Sequence, residues 1–267
     1  MKKINCIYSI VFIVSLLSAN AQDSLGVSQD TVKVEQPSSS TSKPFKSTLG
    51  IAIYSSTPMG VFKSTDFNNL TSGYAKNGYG AGINYSYNVF QSFVVKASLT
   101  YMRNTVNSKI IAEQILTTTA KQTALANMYS SATATYWENY SVTAGFSYQL
   151  WLGETKKIGI EPYFLLGSTY CYTPTLSYRV QIDNLSFETR NNRTANWAFT
   201  YREGLKLNYA LGKKTIISVD ASYLSSKADA KGLEHIVLGN KNYSRTFEDY
   251  TININAMLVG MGISTRF

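Results

Sequence analysis

Residues 250–267, at the C-terminal end of the chain, read YTININAMLVGMGISTRF and decide the fold. Successive side chains of a β-strand leave opposite faces, so a period of two in hydropathy indicates a strand. A strand of a soluble sandwich fits this period, and so does a strand between lipid and a narrow polar lumen. One alternate set is mostly small or polar: Ala256, Leu258, Gly260, Gly262, Ser264 and Arg266. The other is mostly bulky and apolar and ends in an aromatic ring: Met257, Val259, Met261, Ile263, Thr265 and Phe267.

The apolar row resembles the C-terminal assembly signal of bacterial outer-membrane β-barrels, in which alternating apolar residues end in phenylalanine. The resemblance implies that Val259, Met261, Ile263 and Phe267 are read by the barrel-assembly machinery during biogenesis. If so, the chain should also carry an export signal, several more alternating strands, and short connections that alternate with long ones.

The composition narrows the class of protein. Charged residues make up 15% of the chain, below the roughly 25% of a typical soluble domain. Aromatic residues make up 13%, with 20 tyrosines, which suits the aromatic girdles of a membrane barrel. After residue 21 no apolar run reaches the roughly 18 residues that a spanning helix needs. A membrane protein without such helices has to be a closed barrel, because only closure satisfies every backbone group in lipid.

The formal net charge of +9 is spread along the chain without a basic cluster, so nucleic acid is not an expected partner. Basic residues in surface loops suit the phosphates of lipopolysaccharide instead. Cys6 lies in a predicted export signal and leaves Cys171 alone, which excludes an intrachain disulfide and a cysteine metal site.

The N-terminal residues predict export. Residues 1–21 form a signal peptide with Lys2 and Lys3, an apolar segment and the cleavage site Ala19-Asn20-Ala21. Residues 22–44 are rich in Ser, Thr and Gln and predict a disordered periplasmic linker. Within this linker, Ser24 and Thr31 stand in Asp-Ser/Thr-apolar triplets that resemble O-glycosylation acceptor sites of Bacteroidetes, and their modification is left open.

From residue 45 to residue 267, about eight alternating segments predict an all-β, transmembrane, antiparallel up-and-down β-barrel. Short turns are expected near 88–92, 153–157 and 211–214, facing the periplasm. Long extracellular loops are expected near 57–76, 104–135, 173–194 and 226–248. Segment 104–135 fits either a short helix or a strand extension. Pro162, on an outward face, predicts a β-bulge because proline lacks a ladder donor.

The main alternative barrel is soluble and lipocalin-like, with its apolar side chains around an internal ligand. This chain shows the reverse arrangement. The expected inward positions carry Gly, Ser, Asn, Thr and several charges, whereas the outward positions carry Tyr, Phe, Ile and Leu. The pattern therefore favours a barrel that faces lipid.

The expected lumen contains charged residues. An eight-stranded barrel is only just wide enough for its own side chains, and an unpaired buried charge is costly. We therefore expect a mixed salt-bridge network that plugs the interior and excludes a diffusion pore, with a gated path for protons or ions as the alternative. The inward charges are Lys96, Glu161, Arg202, Lys206, Asp220 and Arg266.

No catalytic, cofactor or metal site is predicted. His235, the only histidine, falls in the expected loop 226–248 and reads as a solvated loop residue. Barrel-type lipid A deacylases need His and Ser on the outer wall, and no predicted strand offers a histidine. No phosphate-binding loop or dinucleotide fingerprint is present. A lipid-modifying enzyme is therefore the weakest of the functional alternatives.

The segments Thr57–Phe62, Gly73–Ala75 and Gly78–Gly82 resemble the opening hairpin of the Bacteroidetes outer-membrane β-barrel domain family, as a small OmpA/OmpX-like or PorT-like eight-stranded barrel. The resemblance implies location in the outer membrane. For function, we predict a structural or surface-interaction barrel whose loops contact lipopolysaccharide, a host surface or a partner protein. The alternative is an accessory barrel subunit of an envelope machine such as type IX secretion.

Overall fold

The computed structural model describes residues 46–267 apart from 67–71, 91, 124–127, 184 and 239–242. The predicted signal peptide 1–21 and the predicted linker 22–44, with Ser24 and Thr31, lie outside the described residues.

Eight strands close into one antiparallel barrel, which confirms the predicted fold. Each barrel strand pairs with the next one along the chain, and the last pairs with the first from Thr48↔Arg266 to Pro58↔Ala256. The barrel strands are β1 (Ser47–Pro58), β2 (Ala75–Phe90), β3 (Phe93–Val106), β5 (Tyr136–Tyr148), β7 (Ile158–Tyr172), β10 (Ala195–Ala210), β11 (Thr215–Leu238) and β12 (Tyr243–Arg266).

The two faces of these strands are buried to very different extents. On the outer face Ile51, Ile53 and Met261 are 62%, 70% and 60% exposed, although all are apolar. On the inner face Thr200 and Leu258 are fully buried. The period of two in the sequence therefore corresponds to outward apolar and inward mainly polar positions, the inverse of a water-soluble barrel.

Short connections lie at one end of the barrel, which we call the turn end. They follow β2, β10 and the short β6 (Leu150–Leu152), which continues the path of β5 along β7. Both the first barrel residue, Ser47, and the terminal residue, Phe267, lie here, joined by backbone hydrogen bonds. The opposite end, which we call the loop end, carries the remaining connections.

The bulge predicted at Pro162 is wrong. Pro162 pairs with Leu205 in an uninterrupted β7–β10 register. On its other side the β5 ladder ends at Ser147↔Tyr163 and resumes in β6 at Leu150↔Ile160 with the same register. The missing proline N–H therefore falls where β5 gives way to β6, so the sheet needs no extra residue.

Regular structure replaces much of the predicted loops. After β1 comes the one-turn helix α1 (Gly60–Lys63), and segment 104–135 contains both the helix α2 (Ser108–Thr123) and the strand β4 (Met128–Ala134). Segment 173–194 forms the hairpin of β8 (Leu176–Ile182) and β9 (Leu185–Asn191). Within the described residues, neither helix is both long and apolar enough to span a bilayer.

The loop predicted at 226–248 is also wrong, because β11 and β12 continue past the barrel as one long hairpin. His235 lies within β11, opposite Thr246 and Asn191. Through that pairing with β9, the strands β4, β8, β9, β11 and β12 form a sheet beyond the loop end of the barrel, which we call the loop-end sheet. In it Arg179 and, to a smaller extent, Ser177 donate hydrogen bonds to Glu188 and hold the pKa of that carboxyl below its ordinary value.

Candidate functional site

The lumen near the turn end contains a buried ion pair between Lys96 and Glu161. The Lys96 Nζ lies 2.8 Å from Glu161 Oε1, and both side chains are at most 5% exposed. Glu161 also accepts hydrogen bonds from Ser147 Oγ at 2.9 Å and from Asn208 Nδ2 at 2.8 Å. These neutral donors supply the hydrogen bonds that water would otherwise make to the buried carboxylate.

A second ion pair joins Arg202 to Asp220, with Arg202 Nη2 3.1 Å from Asp220 Oδ1. Arg202 is 2% exposed and also donates to Ser222 Oγ at 3.0 Å and Thr100 Oγ1 at 3.2 Å. The Tyr163 hydroxyl donates to Asp220 at 2.9 Å, and Lys96 Nζ lies 4.4 Å from the centroid of the same ring. Tyr163 therefore lies between the two ion pairs and contacts both.

Lys206 and Arg266, the other two charged residues expected in the luminal salt-bridge network, are placed differently from these ion pairs. Lys206 is the cross-strand neighbour of both Glu161 and Asp220, yet no ion pair of Lys206 is found in the described part of the chain. The guanidinium of Arg266 lies 4.6 Å from the centroid of Trp151 near the turn end and has no ion pair among the described residues. The expected single network is thus two linked ion pairs, with Lys206 beside them and Arg266 apart.

Further toward the loop end the lumen holds a ladder of hydroxyl groups. Thr169 Oγ1 lies 2.6 Å from the hydroxyls of both Ser141 and Thr200, and 3.2 Å from that of Ser226. All four side chains are at most 3% exposed. Hydroxyls can both donate and accept, so the ladder is satisfied without water.

Beyond the hydroxyl ladder lies an apolar plug that the sequence analysis missed. Phe62 of α1 is fully buried, with its ring 5.4 Å from the ring of Trp137 in an edge-on arrangement. The Trp137 Nε1 donates to the Gly73 carbonyl at 2.9 Å. The buried residues of the plug are Tyr54, Phe62, Ala75, Met102, Trp137, Cys171, Ala198, Leu224, Ile254, Ala256 and Leu258.

The three layers fill the lumen along its length. Beside Lys96, Arg202 and Lys206 there is one cavity of about 20 Å³, room for a single water molecule. The side chains of the two ion pairs, the hydroxyl ladder and the plug are each at most 10% exposed, so all three layers lie in the interior of the barrel.

A second cluster lies on the outer wall at the loop end of β3, β5, β7 and β10. We call it the rim patch, and Glu138 is at its centre. Glu138 Oε1 lies 3.7 Å from Arg103 Nε, Glu138 Oε2 is paired with Arg193, and the Tyr101 hydroxyl donates to Glu138 at 3.2 Å. The rim patch consists of Arg103, Glu138, Arg193, Tyr101, Tyr136, Tyr140, Tyr170, Tyr172 and Trp197.

Both guanidinium groups of the rim patch lie over aromatic rings. Arg103 is 3.6 Å from the centroid of Tyr136, and Arg193 is 4.2 Å from that of Tyr172. Such stacking fixes the plane of a guanidinium while leaving its N–H edge available. The side chains of Arg103 and Arg193 are 30% and 40% exposed, so part of each remains accessible.

The rings of the rim patch form a continuous row. The centroid distances are 5.1 Å for Tyr101–Tyr140, 6.2 Å for Tyr140–Tyr172 and 5.0 Å for Tyr172–Tyr170. Trp197 extends the row, 5.0 Å from Tyr170. Next to it an open concavity of about 510 Å³ is lined by Glu138, Tyr140, Tyr170, Tyr172 and Arg193.

Sequence reasoning did not identify the rim patch, although part of its signal was visible. Tyrosines at alternate positions of β5 and β7 mark one face of each strand. The contact of Arg193 with Glu138, however, depends on the connection between β9 and β10 folding back over β7, which no period in the sequence reveals.

The predicted assembly residues lie on the outer wall of β12. Val259, Met261, Ile263 and Phe267 are 50%, 60%, 49% and 60% exposed, respectively. Their recognition by the barrel-assembly machinery stays a prediction. Among the residues that the structure describes, no group of three or more His, Cys, Asp or Glu side chains could share a metal ion.

No family model matches the chain, and no curated protein matches it. Solved structures of outer-membrane barrels are similar to it. Ail, the attachment invasion locus protein of Yersinia pestis, is 18% identical with a TM-score of 0.42, covering 84% of this chain and 99% of Ail. A major outer membrane protein of Thermus thermophilus is 9% identical with a TM-score of 0.41, covering 82% and 99%. The N-terminal β-barrel domain of Pseudomonas aeruginosa OprF is 13% identical with a TM-score of 0.36, covering 82% and 97%. The barrel topology of this chain rests on its own strand pairing.

Proposed function

We propose that this protein is a non-enzymatic β-barrel of the bacterial outer membrane, with a plugged lumen, that acts through its outer wall and its loop-end surface. The observation that carries the proposal is the contrast between its two sides. The lumen is filled by ion pairs, hydroxyls and an apolar plug, whereas the wall exposes bulky apolar side chains.

The apolar wall supports membrane placement. Ile53 of β1, Ile83 of β2 and Leu99 of β3 are 70%, 49% and 49% exposed on neighbouring barrel strands, and a contiguous surface of this kind is unstable in water. Closure of the barrel satisfies the backbone groups that lipid cannot. Exposed rings occur at both ends, with Tyr148 and Tyr209 toward the turn end and Tyr79 and Trp197 toward the loop end, as expected for two interfacial girdles.

In this placement the turn end faces the periplasm and the loop end faces outward. The same proposal includes a cleaved signal peptide at 1–21, a periplasmic linker at 22–44, and membership of the Bacteroidetes barrel group. Lipid, lipopolysaccharide and, during biogenesis, the barrel-assembly machinery are the proposed partners, with no role for nucleic acid.

The second candidate is an accessory barrel subunit of an envelope machine such as type IX secretion. The loop-end sheet favours it, because this sheet presents strands beyond the barrel that a second protein could contact. A lipid-modifying enzyme is a third, weaker candidate that would require His235 for activity.

The decisive experiment combines three measurements on the full chain. Heat-modifiable migration and β-type circular dichroism in detergent are expected, together with no stepwise conductance in planar bilayers. A protein that is monomeric and soluble without detergent would overturn the membrane placement, and large conductance steps would overturn the plugged lumen. Crosslinking in cells would distinguish a lone barrel from a machine subunit, and lipid hydrolysis abolished by His235→Ala would indicate the enzyme.

A further inference from the structure

We propose that the rim patch binds the phosphate-bearing sugar headgroup of an outer-leaflet glycolipid. The inference rests on the proposed membrane placement and adds to it a specific ligand class and a specific site on the wall.

The position of the rim patch indicates that its ligand is a lipid headgroup. Its side chains point outward from the wall rather than into the lumen or up from the loop-end sheet. Below them on the same strands the outward residues are mostly apolar, with Ser168 among the exceptions, and Leu99, Val142, Leu166 and Phe199 are 45–63% exposed. A lipid whose acyl chains lie along these residues would therefore have its headgroup level with Arg103, Glu138 and Arg193.

The charges of the rim patch select an anion. Two guanidinium groups share one carboxylate, so the cluster carries a net charge of +1. Each guanidinium has five N–H donors, and a single carboxylate occupies only some of the ten. Arg103 Nε is buried and Arg103 Nη1 donates to the Tyr79 hydroxyl at 3.4 Å, so a ligand meets only the exposed part of each side chain, 30% for Arg103 and 40% for Arg193. Arginine pairs held in fixed planes bind phosphate oxygens bidentately, which an ammonium cannot do.

The rings of the rim patch select a sugar. The negative face of an aromatic ring attracts the C–H groups on the apolar face of a pyranose. The row from Tyr140 through Tyr172 and Tyr170 to Trp197 offers such faces beside Arg193. The adjoining concavity of about 510 Å³ is open to the side and large enough for one sugar phosphate. A phosphorylated saccharide anchored in the leaflet fits the position, the charge and the aromatic row of the rim patch, whereas free phosphate fits only the charge.

The experiment uses the purified full chain in detergent and in nanodiscs. The probes are phosphorylated lipid A, the same lipid A after phosphatase treatment, phosphatidylcholine and inorganic phosphate. Native mass spectrometry and quenching of tryptophan fluorescence report binding, since Trp197 is 67% exposed within the row. We expect at least tenfold tighter binding of phosphorylated lipid A than of the dephosphorylated form, and no competition from millimolar inorganic phosphate.

Two variants test the residues. Arg103→Gln/Arg193→Gln should bind phosphorylated lipid A at least tenfold more weakly than the natural chain. Arg193→Gln alone, which changes no barrel-strand residue, should weaken the affinity several fold. The matched control is Arg179→Gln, which breaks an exposed ion pair with Glu188 in the loop-end sheet. It should bind like the natural chain.

The outcomes separate the ligand inference from the proposed function. Equal binding of the two lipid A forms, or unchanged binding by the double variant, would overturn the inference and identify the rim patch as a general interfacial girdle. Competition by inorganic phosphate would overturn the glycolipid as its source. Failure of the natural chain to insert as a heat-modifiable barrel would instead overturn the proposed function itself.

Discussion

Phe267 and Ser47 close the barrel at the turn end through two backbone hydrogen bonds. The Phe267 N–H donates to the Ser47 carbonyl at 3.0 Å, and the Ser47 N–H donates to the Phe267 carbonyl at 3.1 Å. The Phe267 ring takes no part in this closure and is 60% exposed on the outer wall. The backbone of the terminal residue therefore contributes to the fold, while its ring remains available for recognition.

Phe267→Ala should impair assembly in cells far more than stability in vitro. The ring buries so little area within the protein that its loss should cost less than about 2 kcal/mol, and the backbone bonds to Ser47 remain. We expect periplasmic accumulation and degradation in cells but normal refolding into detergent. The control is Phe247→Ala, an equally exposed phenylalanine on the same strand at 61%. Equal losses in the two settings, or normal insertion in cells, would contradict the assembly role.

Lys96→Met should strongly destabilise the barrel, because it leaves the Glu161 carboxylate buried without its cation. Removing one partner of a buried ion pair costs about 3–5 kcal/mol. Lys96→Met/Glu161→Gln should recover most of that loss, since the amide oxygen can still accept from Asn208 Nδ2 while the amide NH2 donates to the Ser147 hydroxyl oxygen. Urea unfolding in lipid vesicles gives the comparison. A double variant no more stable than Lys96→Met would show that the unpaired charge of Glu161 does not cause the loss of stability.

Much of the barrel could be predicted because period-two hydropathy directly reports which face of a strand each residue occupies. It assigned Glu161, Arg202 and Asp220 to the inner face, where they lie. The hydropathy period could not predict which inward charges form ion pairs, because the pairing depends on the register between neighbouring strands. Lys206 faces two carboxylates in register but pairs with neither, and Arg266 contacts Trp151 instead.

The plug and the loop-end sheet were beyond sequence reasoning for a different reason. Phe62 comes from a four-residue helix that has no period to read, and it enters the lumen from outside the strand pattern. The rim patch likewise needs Arg193, which stands between two strands. Side chains that connections deliver to a site have no signature in strand alternation.

Phe62→Ala should destabilise the plug without opening a pore. Removing a fully buried phenylalanine ring costs about 3–5 kcal/mol when the site cannot collapse. The hydroxyl ladder and both ion pairs still fill the lumen nearer the turn end. We therefore expect faster proteolysis of the connection after β1 and no conductance in planar bilayers. Conductance steps in this variant would locate the only barrier at the plug.

Gly167→Ala should destabilise the barrel by about 1–3 kcal/mol. A Cβ added at Gly167 would lie 2.0 Å from the Val142 carbonyl oxygen, a backbone atom of the paired strand that cannot move aside. The matched control is Gly212→Ala in a turn, where an added Cβ meets nothing within 4 Å. Denaturant midpoints in detergent should fall for the first variant only. Equal midpoints would mean that β5 and β7 can separate locally without loss of stability.

Shortening the long hairpin should leave the barrel intact and remove only the surface beyond it. Ala230 and Tyr250 are paired, so replacing residues 231–249 by Asn-Gly makes a two-residue hairpin that keeps the register. The barrel part of β11 keeps its β10 partners as far as Ala228, whereas the pairing of β9 with residues 235–238 is lost. Heat-modifiable migration and lipid A binding at the rim patch should persist, while crosslinks to any protein partner that uses the loop-end sheet should disappear.

Deleting Ser222 alone is the contrasting change, since a one-residue slip moves every following side chain of β11 to the opposite face and should prevent folding. If the shortened chain loses the heat-modifiable form, the extended strands are part of the folding unit and the division between barrel and loop-end sheet is wrong.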